Sequence, residues 1–289
     1  MSDVSSEQNS GRLILAGTPL GRISDASAGL LDALRTADVI AAEDTRRLHR
    51  LAADLGVTLS ARIVSYYESV ETSRIPRLLE QIADGATVVL VTDAGMPSVS
   101  DPGYRLVAAA AAAGLPVTSV PGPSAVLTAL ALSGLPSDRF TFEGFPPRKP
   151  GERRRFLAGL ADERRTMVFF ESVHRLTECV AAMVEAFGAD RPAALCRELT
   201  KTHEQVRRGS LGELAAGAHD VRGEVTLVIS GSTADAVAPQ GEALAGEVAE
   251  LVAGGLSRRD AVDSISAKYD LARRIVYAAA TRSAQVPRG

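Results

Sequence analysis

The stretch VVLVTDAGMPSVSDPG, residues 88–103, runs apolar and β-branched residues into Asp93 and then into Gly95. A parallel strand leaves its carboxyl end open to ligand. A carboxylate there can accept hydrogen bonds from a bound molecule, and a nearby glycine lets that molecule approach the backbone. The plainer reading is a strand-to-loop turn whose aspartate caps the next helix. SDPG (100–103) reads as structural, with Ser100 or Asp101 capping a helix that begins near Pro102. EDTR (43–46) gathers two acids, a hydroxyl and a base at another strand end, and reads most simply as a solvated helix start. FFESVHR (169–175) sets Glu171, His174 and Arg175 at the end of a later strand. CRELTKTHEQVRRG (196–209) adds Arg197, Glu198, Lys201 and Arg207. A structural histidine is the commoner reading of His174.

FPPRKPGERRR (145–155) concentrates Arg148, Lys149, Arg153, Arg154 and Arg155 against a single acid. Its prolines predict an extended loop. With Phe145 beside it, just after a strand, the run suits contact with nucleic-acid phosphates, against the alternative of a solvated charge run. With a net charge of −3 there is no global basic footprint, so any such surface must be local. Arg207, Arg208, Arg258, Arg259, Arg273 and Arg274 are available to extend it.

Other chemistries are disfavoured. GTPLG (17–21) lacks the third glycine of a dinucleotide fingerprint, and no GxxxxGK[ST] phosphate loop occurs. HExxH is absent, and His49, His174, His203 and His219 are too scattered for a metal site. Cys179 and Cys196 cannot build a disulfide framework, which fits a reducing cytoplasm.

The elements that must position these residues follow from periodicity. RLILAG (12–17), DVIAAED (38–44), TVVLVTD (87–93) and PVTSVPG (116–122) read as strands. They are separated by helical patterns at 27–37, 73–85 and 104–114, which predicts βαβ units and a parallel sheet. After PGPSAVLTALALSGLP (121–136) come short strands with fewer helices between them. The expected fold class is α/β, with an N-terminal α/β domain over 11–122, a C-terminal α/β domain over 123–232 and a small helical module over 243–283. In that module Ser257 with Asp260 resembles a capping box, and Asp270 caps a last helix that turns Ile275, Val276 and Ala279 to one side. No window holds eighteen uninterrupted apolar residues, so a membrane span is not expected. The polar, acidic first ten residues read as a disordered leader, not a secretory signal.

The ordered series GTPLG, EDTR, TDAGMPSVSDPG, PGPSA, FEGFPPRK, FFESVHRL, RELTKTHE and RGEVTLVI resembles the tetrapyrrole-methylase superfamily over about residues 11–283. More narrowly it resembles the bacterial branch that methylates a ribose 2′-hydroxyl of a cytidine in 16S rRNA of the small ribosomal subunit. The resemblance implies S-adenosylmethionine bound in a cleft between two α/β domains without a Rossmann fingerprint. It places Asp93, Gly95 and Met96 at the cofactor and adds Leu20, Ser124, Ala125 and Phe170 to its walls. Arg22 stands where relatives commonly have asparagine, and Val173 where they have proline.

The implied chemistry aligns an alcohol with an already activated methyl group, and a positioned base adds about 10²–10⁴-fold. By residue type the base candidates are Glu171, His174, Glu198 and Asp44. RNA contact falls to Arg148, Lys149, Arg153, Arg154, Arg155, Arg197 and Lys201, with no metal. The resemblance also implies a cytoplasmic homodimer. Two other functions compete: methylation of a tetrapyrrole-like small molecule, and a non-catalytic RNA-binding assembly factor. The Arg-rich segment and the helical tail favour RNA over a ring substrate.

Overall fold

A computed structural model describes residues 11–233, 242–269 and 271–282; the proposed leader and Asp270 lie outside these. The first sheet consists of β1 (Arg12–Ala16), β2 (Val39–Ala42), β3 (Arg62–Ser65), β4 (Thr87–Val91) and β5 (Val117–Val120), all parallel, in the order β3-β2-β4-β1-β5. Helices α1 (Ala28–Thr36), α2 (Thr45–Asp54), α3 (Glu68–Ala83) and α4 (Tyr104–Ala112) connect them. Burial on both faces explains why these strands read as continuous apolar runs. Ile14, Ile40 and Val89 pack with Leu30, Leu34 and Leu48 from α1 and α2. Leu13, Val88 and Leu90 pack on the other side with Leu78, Ile82 and Leu106 from α3 and α4.

Helix α5 (Ala125–Ser133) leads into a mixed second sheet of β6 (Phe140–Gly144), β7 (Thr166–Ser172), β8 (Pro192–Arg197), β9 (Gln205–Ser210) and β10 (Glu224–Ile229). Its order is β6-β7-β10-β8-β9, with only the β6–β7 pair parallel among the described residues. Helices α6 (Pro150–Ala158), α7 (Val173–Phe187) and α8 (Leu211–Ala216) cover one face, on which Met167 and Phe169 point. Helix α5 covers the other, against Val168, Ala194 and Val228. The two sheets form one compact unit, through Ala161 and over Arg165–Ser230.

A second unit holds α9 (Glu242–Ala253), α10 (Arg258–Tyr269) and α11 (Arg273–Arg282) around Leu244, Val248, Val262, Ile265 and Val276. Among the described residues no helix is long and apolar enough to cross a membrane.

Several expectations change. Segment 150–158 is not an extended loop: Pro150 opens α6, because a proline at the first helical position loses no hydrogen bond and has its φ already set. Helix α3 begins at Glu68, five residues before the patterned start, and carries Pro76 in its interior. Neither Ser100 nor Asp101 caps α4, which starts after Gly103. In α11, Val276 and Ala279 are buried, but Ile275 is 47% exposed.

Candidate active site

The first sheet ends in two loops that clasp each other. Thr18, just beyond β1, and Gly95, just beyond β4, form an isolated antiparallel bridge. The buried Thr18 hydroxyl also donates to the Thr92 carbonyl at 3.1 Å. Gly95 has φ +80°, a left-handed conformation that glycine adopts without the steric cost of a Cβ. Beneath the clasp, a Cβ on Gly17 would lie 2.7 Å from Gly122 backbone and 2.6 Å from the Met96 sulfur, so no side chain fits there.

Above the clasp lies a cavity of about 520 Å³, the size of a small-molecule site. Leu20, Met96 and Phe170 give it apolar wall, with Ser124 and Ala125 at the amino end of α5. The alternation of β7 explains Phe170, which sits on the α5 side with Val168 while Met167 and Phe169 face α6 and α7. Glu43, Asp93 and Asp101 supply carboxylates, with Arg47 and His174 also at the wall.

These acids differ in their partners. Asp93 pairs with Arg47 at 3.1 Å, and its backbone N–H donates to Glu43 at 3.1 Å. Burial raises the Asp93 carboxyl above its ordinary range, opposed by the Arg47 charge. Burial also raises Glu43, with the Asp93 charge adding to it. Asp101 is pushed up to about 7, first by burial, then by the Glu43 charge, while the Thr92 hydroxyl pulls it back.

The loop that carries them is held from behind. Glu71, 2% exposed, accepts from the Tyr66 hydroxyl at 3.1 Å, from Gly103 N–H at 3.0 Å and from Arg105 at 3.1 Å. Ser98 and Ser100 sit at φ +73° and +61°, left-handed positions that cost a non-glycine residue about 1–3 kcal/mol each.

The base candidates read from the sequence have different surroundings. Glu171 is among the cavity-lining residues, but its side chain is fully buried, ion-paired to Arg175 and bonded to its neighbour Ser172 N–H. Glu198 lies outside the cavity wall, held by Lys201 at 3.1 Å and by Glu224 N–H at 2.9 Å; that backbone bond lowers its carboxyl. Asp44 caps α2 through Arg46 and Arg47 N–H, and the Arg46 side chain holds its carboxyl well below the usual range. His174 lines the cavity from the first turn of α7.

The basic candidates divide the same way. Arg148, Arg154 and Arg155 are exposed, and Lys149 makes an exposed pair with Glu152. Arg153 is 4% exposed beneath α6 and bonds Glu178, which removes it from the surface reading. Lys201 is clamped between Glu198 and Glu224, and Arg197 donates to the Arg222 carbonyl. Arg207 and Arg208 likewise donate to the carbonyls of Gly217 and Leu132. Type and spacing foretold none of these partners. Sequence reasoning also passed over Glu43, Arg47 and Asp101 as wall residues, although EDTR and SDPG stood at the right strand ends.

The chain resembles known proteins along most of its length. The family model described as Tetrapyrrole (Corrin/Porphyrin) Methylases matches residues 12–215. The chain belongs to the tetrapyrrole methylase family. Among curated relatives, "Ribosomal RNA small subunit methyltransferase I" of Mycobacterium tuberculosis is 54% identical over 90% of this chain and 91% of its own. The protein of the same name from Micromonospora olivasterospora is 42% identical over 94% and 87%. Among solved structures, the uroporphyrin-III C-methyltransferase of Thermus thermophilus complexed with S-adenyl homocysteine aligns at TM-score 0.53 and 22% identity, covering 76% of this chain and 97% of that one. That likeness shows that this family member shares the methylase fold.

Proposed function

We propose that the protein transfers a methyl group from S-adenosylmethionine to the ribose 2′-hydroxyl of a cytidine in 16S rRNA of the small ribosomal subunit. The observation that carries the reading is one cavity with apolar walls, clustered carboxylates and a helix amino end, in a chain alike along most of its length to rRNA methyltransferases. The lining fits the cofactor. Asp93 and Glu43 suit its cationic end, the amino end of α5 at Ser124 and Ala125 suits its carboxylate, and Leu20, Met96 and Phe170 suit its ring and thioether carbons. When bound, S-adenosylmethionine supplies a methyl group already activated on a sulfonium.

The chain's own residues then hold the ribose oxygen in line and exclude water. RNA is held at Arg148, Arg154 and Arg155, which follow Phe145 at the cavity wall. The test is labelled methyl transfer by the purified protein to small ribosomal subunits lacking the modification, with nuclease mapping of the labelled nucleotide. Label on a ribose 2′-oxygen of 16S rRNA supports the reading. Label on a base, or on a tetrapyrrole and not on subunits, overturns it. The expected assembly is a homodimer, checked by light scattering.

A further inference from the structure

We infer that Phe145 is the stacking platform for an unpaired base of the RNA substrate, held beside the ribose that enters the cavity. The inference rests on the proposed ribose methylation and deepens it by naming the side chain that takes the base.

Three observations carry it. First, Phe145 is an exposed ring at the edge of a ligand-sized cavity. Among the described residues that line the cavity, the exposed large apolar side chains are Phe145, at 53%, and Val99, at 39%. Only the first is aromatic. A single exposed phenylalanine is ordinary on a protein surface. This one is the outer member of a row: its centroid lies 5.6 Å from Phe170, and Phe170 lies 4.9 Å from Phe142 in an edge-on contact. The two inner rings pack on the core between the sheet and α5, and the outer ring keeps more than half its surface for another planar group.

Second, the backbone aims the ring and then fixes it. Strands β6 and β7 pair Phe142 with Val168 and then Gly144 with Phe169, so one extra residue bulges between the pairs. Gly144 sits at φ +65°. A bulge with a left-handed glycine bends the strand and re-aims the side chain that follows it. The next carbonyl, that of Pro146, accepts from Arg175 at 3.2 Å, and the Arg175 charge is met by the buried Glu171. Pro146 and Pro147 each lock a φ angle. A ring on so rigid a segment loses little freedom when a ligand settles on it.

Third, the segment beyond the ring is cationic. Arg148, Lys149, Arg154 and Arg155 are all exposed, with Lys149 paired to Glu152. An aromatic face beside positive charge is the arrangement that holds single-stranded nucleic acid, the ring taking a base and the cations the phosphates. The proposed reaction needs that pairing. A ribose 2′-oxygen reaches a cavity only when its nucleotide leaves the regular stack, and the departing base then has a bare face to cover. Phe145 covers it at the cavity's edge.

The experiment compares wild type with Phe145→Ala, Phe145→Leu, Phe145→Tyr and Phe145→Trp. It measures cofactor affinity by calorimetry, kcat/KM for methyl transfer to unmodified small subunits, and the salt dependence of subunit binding. Phe145→Ala and Phe145→Leu are each expected to lower kcat/KM about 5- to 150-fold, the range given by loss of one base–aromatic stack. Phe145→Tyr should stay within about threefold of wild type, because it keeps the ring. Leucine retains apolar bulk without a π face, so its loss separates stacking from packing. The salt slope should not change, since no phosphate contact is removed. Phe145→Trp introduces the only tryptophan of the chain, and its emission should fall as subunits are added, with the wild-type titration subtracted. An Ala or Leu variant that transfers within about threefold of wild type, or a tryptophan emission that does not change, overturns the inference. So does an Ala variant that loses cofactor affinity more than about tenfold, which would assign Phe145 to the cofactor. A wild-type protein that binds cofactor but methylates no subunit would instead overturn the underlying reading.

Discussion

Thr18 and Gly95 exchange two backbone hydrogen bonds, N–H to carbonyl at 2.9 Å one way and 3.0 Å the other. Seventy-odd residues apart in sequence, they tie the ends of β1 and β4 into one rim, and the cavity floor depends on that rim. Gly95→Ala forces a left-handed alanine there, at about 1–2 kcal/mol. The new methyl would sit 3.4 Å from Leu20. Thermal melts should register the loss, and calorimetry should show weaker cofactor binding.

Asp93→Ala removes a charged acceptor at the mouth of β4. Losing one such hydrogen bond is worth about 1.5–3 kcal/mol, so cofactor affinity should drop about ten- to a hundredfold in a titration. Arg47→Ala breaks only a half-exposed ion pair and should cost under about 1 kcal/mol of stability in denaturant unfolding.

The pH dependence of stability follows from Asp101. Its carboxyl stands near 7 in the folded chain against an ordinary 3.8, so folding takes up a proton between those values. Stability therefore falls as pH rises from about 4 to about 7 and stays low above that. Asp101→Asn removes this penalty. After allowance for solvent screening the gain is about 1 kcal/mol, seen as a Tm about 2–4 °C higher at pH 8 and unchanged at pH 4. Differential scanning calorimetry at the two pH values checks it.

Three neighbouring arginines should divide into two kinds. Arg154→Ala with Arg155→Ala should weaken binding to ribosomal subunits and flatten its salt dependence by about 0.7–0.9 for each phosphate no longer neutralised, with Tm unchanged. Arg153→Ala empties a buried site and should lower stability by about 2 kcal/mol, leaving the salt slope alone. Filter binding at several salt concentrations, beside thermal melts, separates the two.

Much of the architecture was legible because its signals are local. Runs such as Val88–Val91 must be buried on both faces, and Ser27 caps α1 by accepting from Leu30 N–H at 3.1 Å. The wall residues Leu20, Ser124, Ala125 and Phe170 were reached only through the ordered motif series, since nothing in a lone Phe-Phe pair tells which ring faces a ligand. What stayed hidden depends on partners far along the chain. Arg153 reads as surface charge until Glu178 and the underside of α6 are placed around it. Asp101 looks like a cap until Ser98 and Ser100 turn left-handed, a geometry that Glu71 secures from another helix. Glu71 itself was missed because the helical pattern was read only from residue 73, five residues after α3 begins.

The position of β1 sets an order of assembly. Strand β1 precedes both its partners in the chain and lies between β4 and β5, pairing Leu13 with Val88 on one side and with Val117 on the other. Until Val120 has been synthesised, β1 lacks one of its two neighbours, and the close approach of Gly17 to Gly122 cannot form. Such non-local pairing is slow, and it exposes a bare apolar strand while the chain waits. Trimming Leu13–Ala16 would do more than shorten an edge. It would leave β5 without its pairing strand and divide the sheet through its interior.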